Sequence, residues 1–375
     1  MRNKEYTDRI DEIDGQIAAL YGRRMELVDE LACVKRLQGA KVLDRSREQL
    51  KLTAMENLVS DEYAKFSVRE LFEQILAAGR KREYQILAES EGQSRLPFFE
   101  RESLDRENAR VVYQGAPGSY SQAAMKRFFG PDTDNFAVQT FRDVMIAIEE
   151  GAADYGVLPI ENSTAGIVSQ IYDMLAEFEN YIVGEQTIKI EHCLMGVEGS
   201  SLESIRTVYS HAQSLMQSER YLNGHPDWRQ ISMQNNAFAA RKVAEEQMIT
   251  QAAIASEYAA QTYGLKILEK GINQAENNST RFIIVTNRKM FVKDAGRISL
   301  CLELAHRSGS LYHLLSHIIY NGLNMTKIES RPIEDRTFEY RFFIDFEGNL
   351  KDPAVRNALR GLRDESRSLK ILGNY

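Results

Sequence analysis

The first proline of the chain is Pro97, so 96 residues pass without the residue that most strongly interrupts a helix. Within them Ile10, Ile13, Ile17, Leu20, Leu27, Leu31 and Val34 recur at helical spacing. That spacing predicts one long amphipathic helix over about residues 5–37, ended by Gly39. A second helix is predicted over 44–57 and a third over 62–88. Three helices of which one exceeds thirty residues make a thin core, so this segment is expected to pair with a second copy.

The pattern then changes. Residues 89–109 are polar, charged and without period, and read as a linker. From Arg110 short apolar stretches alternate with helical ones: RVVYQ, AVQTF, YGVLPI, YIVGE, IRTVYS, AAIAS and RFIIVT. That alternation is the mark of α/β architecture. Residues 288–296 read as a second, shorter linker. The remainder reads strand, helix (310–321), strand, strand, helix (353–365), strand, a ferredoxin-like βαββαβ order. In EYRFFIDF, Tyr340, Phe342, Ile344 and Phe346 alternate with Glu339, Arg341, Phe343 and Asp345, which predicts a half-exposed sheet. The expected domains are therefore 1–90, 110–287 and 297–375.

Composition bounds the function. A length of 375 residues with 43% hydrophobic and 27% charged residues suits two or three globular domains. A net charge of −7 argues against nucleic acid as a partner, so any anion site must be a local cluster of cations. No run is long and apolar enough to span a membrane, and MRNKEYTDRIDEID is too charged for a signal peptide. Cys33, Cys193 and Cys301 lie far apart, which disfavours a disulfide framework or a cysteine zinc site and makes the cytoplasm the default location.

Arg24 interrupts the apolar stripe of the first helix, and Lys35 follows eleven residues later. Eleven residues are about three turns, so both cations share a face, ~16 Å apart along the axis. They either pair with Asp44 or Glu48 as structural salt bridges or line a polar cavity for a multiply anionic small molecule. The segment Asp44-Arg45-Ser46-Arg47-Glu48 can add a third cation. Together, IDEID, Arg24, Lys35 and LDRSRE resemble the all-helical chorismate mutases over residues 1–90. The resemblance implies an intertwined dimer in which cations clamp the two carboxylates of chorismate during a pericyclic rearrangement. Arg24, Lys35 and Arg47 match the carboxylate and ether-oxygen ligands, and Asp44 and Glu48 the hydroxyl partners. Glu83 stands where that family often has a glutamine, and Thr7 where it has an arginine.

GAPGSYSQAA (115–124) joins a predicted strand to a predicted helix, and its Ser119, Tyr120 and Ser121 sit beside the helix N-terminus. LPIENSTAG (158–166) repeats the arrangement with Glu161, Asn162, Ser163 and Thr164. Each is either a helix cap or a seat for an anion. With Asn278-Ser279-Thr280-Arg281-Phe282, YSHAQSLMQ (209–217) and YGLKIL (263–268), the order resembles prephenate dehydratase across residues 110–287. The resemblance implies two α/β lobes, similar to periplasmic binding proteins, closing on prephenate. It makes Thr280 the partner of the leaving hydroxyl and Glu161, Asn162 and Gln217 its polar neighbours. Ser119, Tyr120, Ser121, Ser163, Thr164, Arg281 and Phe282 are then substrate-binding positions.

Residues 297–375 resemble an ACT regulatory domain. GSLY and ESRP stand where that family binds phenylalanine, which implies effector contacts at Gly309, Ser310, Leu311, Glu329, Ser330 and Arg331. The order mutase, dehydratase, ACT implies an enzyme taking chorismate to prephenate and then to phenylpyruvate, inhibited by phenylalanine, as a homodimer or dimer of dimers. It calls for no cofactor, metal, nucleic acid or membrane. His313 and His317 have the spacing of a metal pair but no evident third ligand, and read as ordinary helix positions. Two alternatives stay open: a dehydratase with a degenerate mutase domain, and a noncatalytic amino-acid sensor.

Overall fold

The computed structural model describes residues 2–90, 97–306, 309–334 and 336–375. It resolves into two compact units, Met1–Leu96 with Cys301–Lys370, and Pro97–Leu300 with Ile371–Tyr375. No helix among the described residues is long and apolar enough to cross a membrane.

Helices α1 (Arg2–Gln38), α2 (Arg45–Glu56) and α3 (Glu62–Ser90) open the chain. Gly39 adopts φ 64°, the left-handed conformation that ends a helix without a Cβ clash, and Ala40 N–H closes on Lys35 O at 3.0 Å. Asp44 caps α2 by accepting from Arg47 N–H at 3.0 Å. The apolar stripe of α1 is covered only in part. Val28 and Ala32 are buried, whereas Ile10, Ile13, Ile17, Leu20 and Leu27 are all more than half exposed.

In the second unit the elements run β1 (Phe99–Arg101), β2 (Val111–Gln114), α4 (Tyr120–Phe129), β3 (Asn135–Val138), α5 (Phe141–Glu149), β4 (Tyr155–Asn162), β5 (Gly166–Ile167), α6 (Ser169–Glu177) and β6 (Tyr181–Lys189). The chain continues through β7 (Cys193–Gly196), β8 (Thr207–His211), α7 (Ala212–Gln217), α8 (Glu219–Leu222), β9 (Arg229–Met233), α9 (Asn236–Glu246), β10 (Gln251–Ala255), α10 (Glu257–Tyr263) and β11 (Lys266–Glu269). It ends with β12 (Ser279–Thr286) and β13 (Met290–Val292). Strands in the order β6-β12-β4-β2-β3 make the first lobe, and β11-β7-β10-β8-β9 the second. The backbone crosses between lobes after β6 and returns before β12, so two crossings link the lobes. Gly156 of β4 lets α5 lie close, since a Cβ there would stand 2.6 Å from Val144 Cγ1.

Three sequence readings are corrected here. The strand read in AVQTF stops at Val138, because Thr140 and Asp143 form a reciprocal capping box that starts α5 at Phe141. The segments read as linkers pair with each other: β1 and β13 are parallel, with Phe99 opposite Met290 and Arg101 opposite Val292. Met290 and Phe291 are buried, which is why the segment is ordered into a strand. Residues 91–96 of the first linker lie outside the described residues. The polar cluster of LPIENSTAG does not cap a helix. It forms the turn of the β4–β5 hairpin, and α6 begins beyond it with Val168 at its N-cap.

The last segment runs β14 (Arg297–Glu303), α11 (Ser310–Tyr320), β15 (Met325–Pro332), β16 (Tyr340–Glu347), α12 (Pro353–Glu365) and β17 (Ser368–Asn374). The strand order β15-β16-β14-β17 is the ferredoxin-like order expected. The half-exposed reading of β16 fails over its second half. Phe343 is 2% and Asp345 6% exposed, as buried as the apolar residues they alternate with, because the face read as polar carries a phenylalanine of its own.

Candidate active sites

The turn after β4 and the start of β12 bring together the residues singled out in the dehydratase-like segment. Thr280 lies opposite Asn162 in the β12–β4 ladder, and Asn162 Nδ2 donates to Thr280 Oγ1 at 2.9 Å. The same amide nitrogen faces Asn278 Oδ1 at 2.8 Å and Ser279 O at 3.2 Å. Asn162 Oδ1 accepts from Thr164 N–H (3.1 Å), Ala165 N–H (2.9 Å) and Thr164 Oγ1 (2.7 Å). Gln217, at the end of α7 in the other lobe, donates from Nε2 to Thr164 Oγ1 at 2.8 Å. Both lobes thus meet at one polar cluster.

Glu161 and Arg281 form an ion pair of 2.9 Å, and Arg281 also meets Glu185 at 3.2 Å. Ser163 ties the hairpin to β12, donating to Asn277 O at 3.0 Å and accepting from Ser279 N–H at 3.0 Å. Ser119 accepts from Gln122 N–H as the cap of α4, and Ser121 is buried within that helix. The Tyr120 hydroxyl turns to Glu191 O (2.9 Å) and His192 Nδ1 (3.1 Å), and burial pushes its ionisation well above the ordinary phenol range. Phe282 is not brought to the cluster. Its apolar ring belongs instead to the first lobe's core, in one cluster with Val111 and Tyr155, and is almost wholly buried.

Two residues of this cluster were given no role by the sequence, although Asn278 stands in the motif that contains Thr280. Asn278 is fully buried and its Nδ2 has no hydrogen-bond partner among the described residues. His192 is 1% exposed, with Nε2 2.9 Å from Gln217 Oε1. Burial lowers its basicity below the usual histidine value. Both sit at the crossings between lobes, which short-range patterns do not locate. His211 instead caps α7, and burial depresses its basicity likewise.

The cationic cluster lies on the three N-terminal helices. Lys35 Nζ reaches Glu83 Oε2 at 2.7 Å and Val42 O at 3.0 Å. Arg24 Nη1 donates to Ile75 O at 3.3 Å. The Lys51 ammonium is held below its usual range by partial burial and by the Arg24 and Arg47 guanidiniums, which marks these three as like charges crowded together. The salt bridges that the helix periodicity allowed, from Arg24 or Lys35 to Asp44 or Glu48, do not form. Asp44 is engaged as a cap, and Glu48 takes Arg80, whose Nη1 lies 2.7 Å from both of its carboxylate oxygens. Arg80, unnoticed in AAGRKRE, also binds Glu365 of α12 at 2.9 Å.

Gly309 precedes α11 with φ 75°, and Ser310 and Leu311 line a cavity of about 430 Å³ with Leu304, Ala305, Tyr340 and Phe342. Glu329, Ser330 and Arg331 lie on β15, paired with Phe343, Phe342 and Arg341 of β16, and do not line that cavity.

Comparison with known proteins agrees with this division. The family described as chorismate mutase type II matches residues 6–84, and prephenate dehydratase matches residues 111–290. Bifunctional chorismate mutase/prephenate dehydratases are 31% identical over 376 residues in Enterobacter agglomerans and 29% over 384 in Escherichia coli K12. Each alignment covers 98% of this chain and 94% of the relative. Among solved structures, a prephenate dehydratase from Arthrobacter aurescens in complex with L-Phe aligns at TM-score 0.66 and 27% identity, over 71% of this chain and 89% of that one. A quorum-quenching acylase aligns at TM-score 0.65 and 32% identity, over 70% of this chain and 96% of that one. With 31% identity along nearly its whole length and both catalytic segments matched in order, the chain belongs to the bifunctional chorismate mutase/prephenate dehydratases.

Proposed function

We propose that Thr280 assists hydroxide departure in the dehydratase reaction and that Arg24, Arg47, Lys51 and Lys35 hold the dianionic substrate of the mutase reaction. In the first, the ring-to-carboxylate bond of prephenate breaks, its electron pair enters the ring, and the ring expels the 4-hydroxyl as hydroxide. Carbon dioxide and phenylpyruvate are left. Aromatisation drives the step, so the protein need only stabilise the departing oxygen and hold two carboxylates. The observation that carries this reading is the 2.9 Å bond in which Thr280 Oγ1 accepts from Asn162. A hydroxyl that accepts there keeps its own hydrogen for the leaving oxygen. Asn278 Nδ2 is a second buried donor in the same cluster.

In the mutase reaction no atom is gained or lost, and restraint with charge complementarity suffices. Crowded cations cost free energy until an anion joins them, which favours a ligand with two carboxylates. The site is completed by a second copy covering the exposed stripe of α1. Phenylalanine acts as effector at the turn of Gly309 and Ser310, in the segment read as an ACT domain.

Supplying chorismate and prephenate separately and following phenylpyruvate tests the reading. Product from both supports it. Product from prephenate alone selects a dehydratase with an idle mutase, and none from either selects a sensor.

A further inference from the structure

We infer that His192 is a positioning residue of the dehydratase reaction: from the crossing between the lobes it holds Gln217 in the orientation that completes a run of hydrogen bonds donating toward Thr280. This rests on the reading of Thr280 as the donor to the departing hydroxyl.

The direction follows from groups that have no choice. The backbone amides of Thr164 and Ala165 can only donate, and both point at Asn162 Oδ1. Ser279 O can only accept, and it lies 3.2 Å from Asn162 Nδ2. The Asn162 amide is therefore fixed at both ends. Thr164 Oγ1, 2.7 Å from Asn162 Oδ1, has to give its hydrogen there. Its lone pairs are left to accept, so Gln217 turns Nε2 toward it at 2.8 Å. Gln217 Oε1 then faces His192 Nε2 at 2.9 Å, and that nitrogen has to carry hydrogen.

In a neutral imidazole protonated at Nε2, Nδ1 is bare and shares the single Tyr120 hydroxyl hydrogen, 3.1 Å from that oxygen, with the nearer Glu191 O at 2.9 Å. Hydrogen bonds thus run in one sense from His192 through Gln217, Thr164 and Asn162 to Thr280. Bonds aligned head to tail polarise one another, which strengthens the last hydroxyl as a donor. The other tautomer would set a bare Nε2 against Gln217 Oε1. Relief would require the Gln217 amide to flip and take the Thr164 hydrogen away from Asn162. One proton on one buried ring therefore decides the sense of the run as far as Thr164, and with it whether Thr164 polarises the Asn162 amide that the backbone holds against Thr280.

The histidine also spans the lobes. Tyr120 stands on α4 of the first and Gln217 on α7 of the second, while His192 belongs to the crossing between β6 and β7. Its ring places Gln217 relative to the hairpin that carries Asn162 and Thr164.

The test is a double-mutant cycle on the full chain with prephenate as substrate. His192→Leu is expected to lower kcat roughly tenfold or more, the scale of a misplaced reacting group, with KM within about twofold. His192→Gln, whose amide can still donate to Gln217, should recover most of the loss. In a Thr280→Val background, His192→Leu should add less than about a twofold loss, because its route to the reaction is already cut. An equal loss in both backgrounds would overturn the inference and leave His192 a stabiliser of the lobes. No loss from Thr280→Val alone would sink the reading of Thr280 itself. If the leucine variant fails to fold, nitrogen NMR of the wild-type chain with labelled histidine still decides: hydrogen on His192 Nε2 is expected, and hydrogen on Nδ1 instead would overturn it.

Discussion

Arg80 Nε stands 2.9 Å from Glu365 Oε1, and the same guanidinium holds both oxygens of Glu48 at 2.7 Å. One buried cation thus joins α3 to α2 and to α12. Glu365 also takes His317 Nε2 at 3.0 Å, and Gly361 makes room for that ring, since a Cβ there would lie 2.3 Å from His317 Nδ1. The Arg80 and His317 partners hold the Glu365 carboxyl down to about 2, against the opposing cost of its burial.

Acid should therefore loosen this unit. A carboxyl with a depressed folded-state pKa adds stability that is complete above the unfolded value of 4.5 and is lost as pH falls through about 2. The contribution is on the order of 3 kcal/mol. Melting temperature followed from pH 6 to about pH 2 should drop, and Glu365→Gln should start lower and fall less steeply. Parallel curves for the two proteins would show that Glu365 is not the group titrating.

Glu83 neutralises Lys35 across 2.7 Å at a position where a neutral amide would leave the ammonium to a substrate. Glu83→Gln should raise kcat/KM for chorismate several-fold, mostly through KM, because a dianion no longer competes with a fixed carboxylate. A loss of tenfold or more would mean that the Glu83 carboxylate itself serves the reaction.

Removing the Thr280 hydroxyl while keeping its shape isolates that donor. Thr280→Val should lower dehydratase kcat by ~10²-fold or more, the scale of one lost transition-state donor. The mutase rate, proposed to depend on residues of the other unit, should not change. Dehydratase kcat kept within about twofold would remove Thr280 from the chemistry.

The long helices, the alternation of strands and helices, and the βαββαβ order were legible because each rests on period, and period is local. The two polar turns were legible only in part. Asn162 and Thr164 were found at the site, yet the hairpin that holds them was read as a helix start, since short polar clusters serve both. Phe282 went to the core because a large apolar ring gains more from burial among apolar neighbours than from a polar cluster, whatever motif it stands in. Arg80, His192 and Asn278 act through partners more than thirty, twenty and a hundred residues away along the chain, and no window of sequence holds both ends. The two segments read as linkers were missed for the same reason, since each finds its strand partner in the other.

The exposed stripe of α1 leads to the last prediction. Ile10, Ile13, Ile17 and Leu20 lie on a helix of 37 residues, about 55 Å long, and each is more than half exposed. Each apolar side chain left in water forgoes roughly 1.5–3 kcal/mol that burial would contribute, so four on one stripe favour self-association. Because Arg24 and Lys35, proposed above as mutase cations, stand on the same helix, a partner helix laid on this stripe is expected to close their site. Replacing Ile13 and Ile17 together by glutamate should shift the chain toward smaller species in sedimentation equilibrium and lower mutase kcat/KM by more than tenfold. Since both residues are on a solvent face in one copy, the helical signal should persist at high concentration. Prephenate turnover should persist as well, its residues lying in the other unit. A doubly substituted chain of unchanged mass with full mutase activity would show that the stripe has no part in assembling that site.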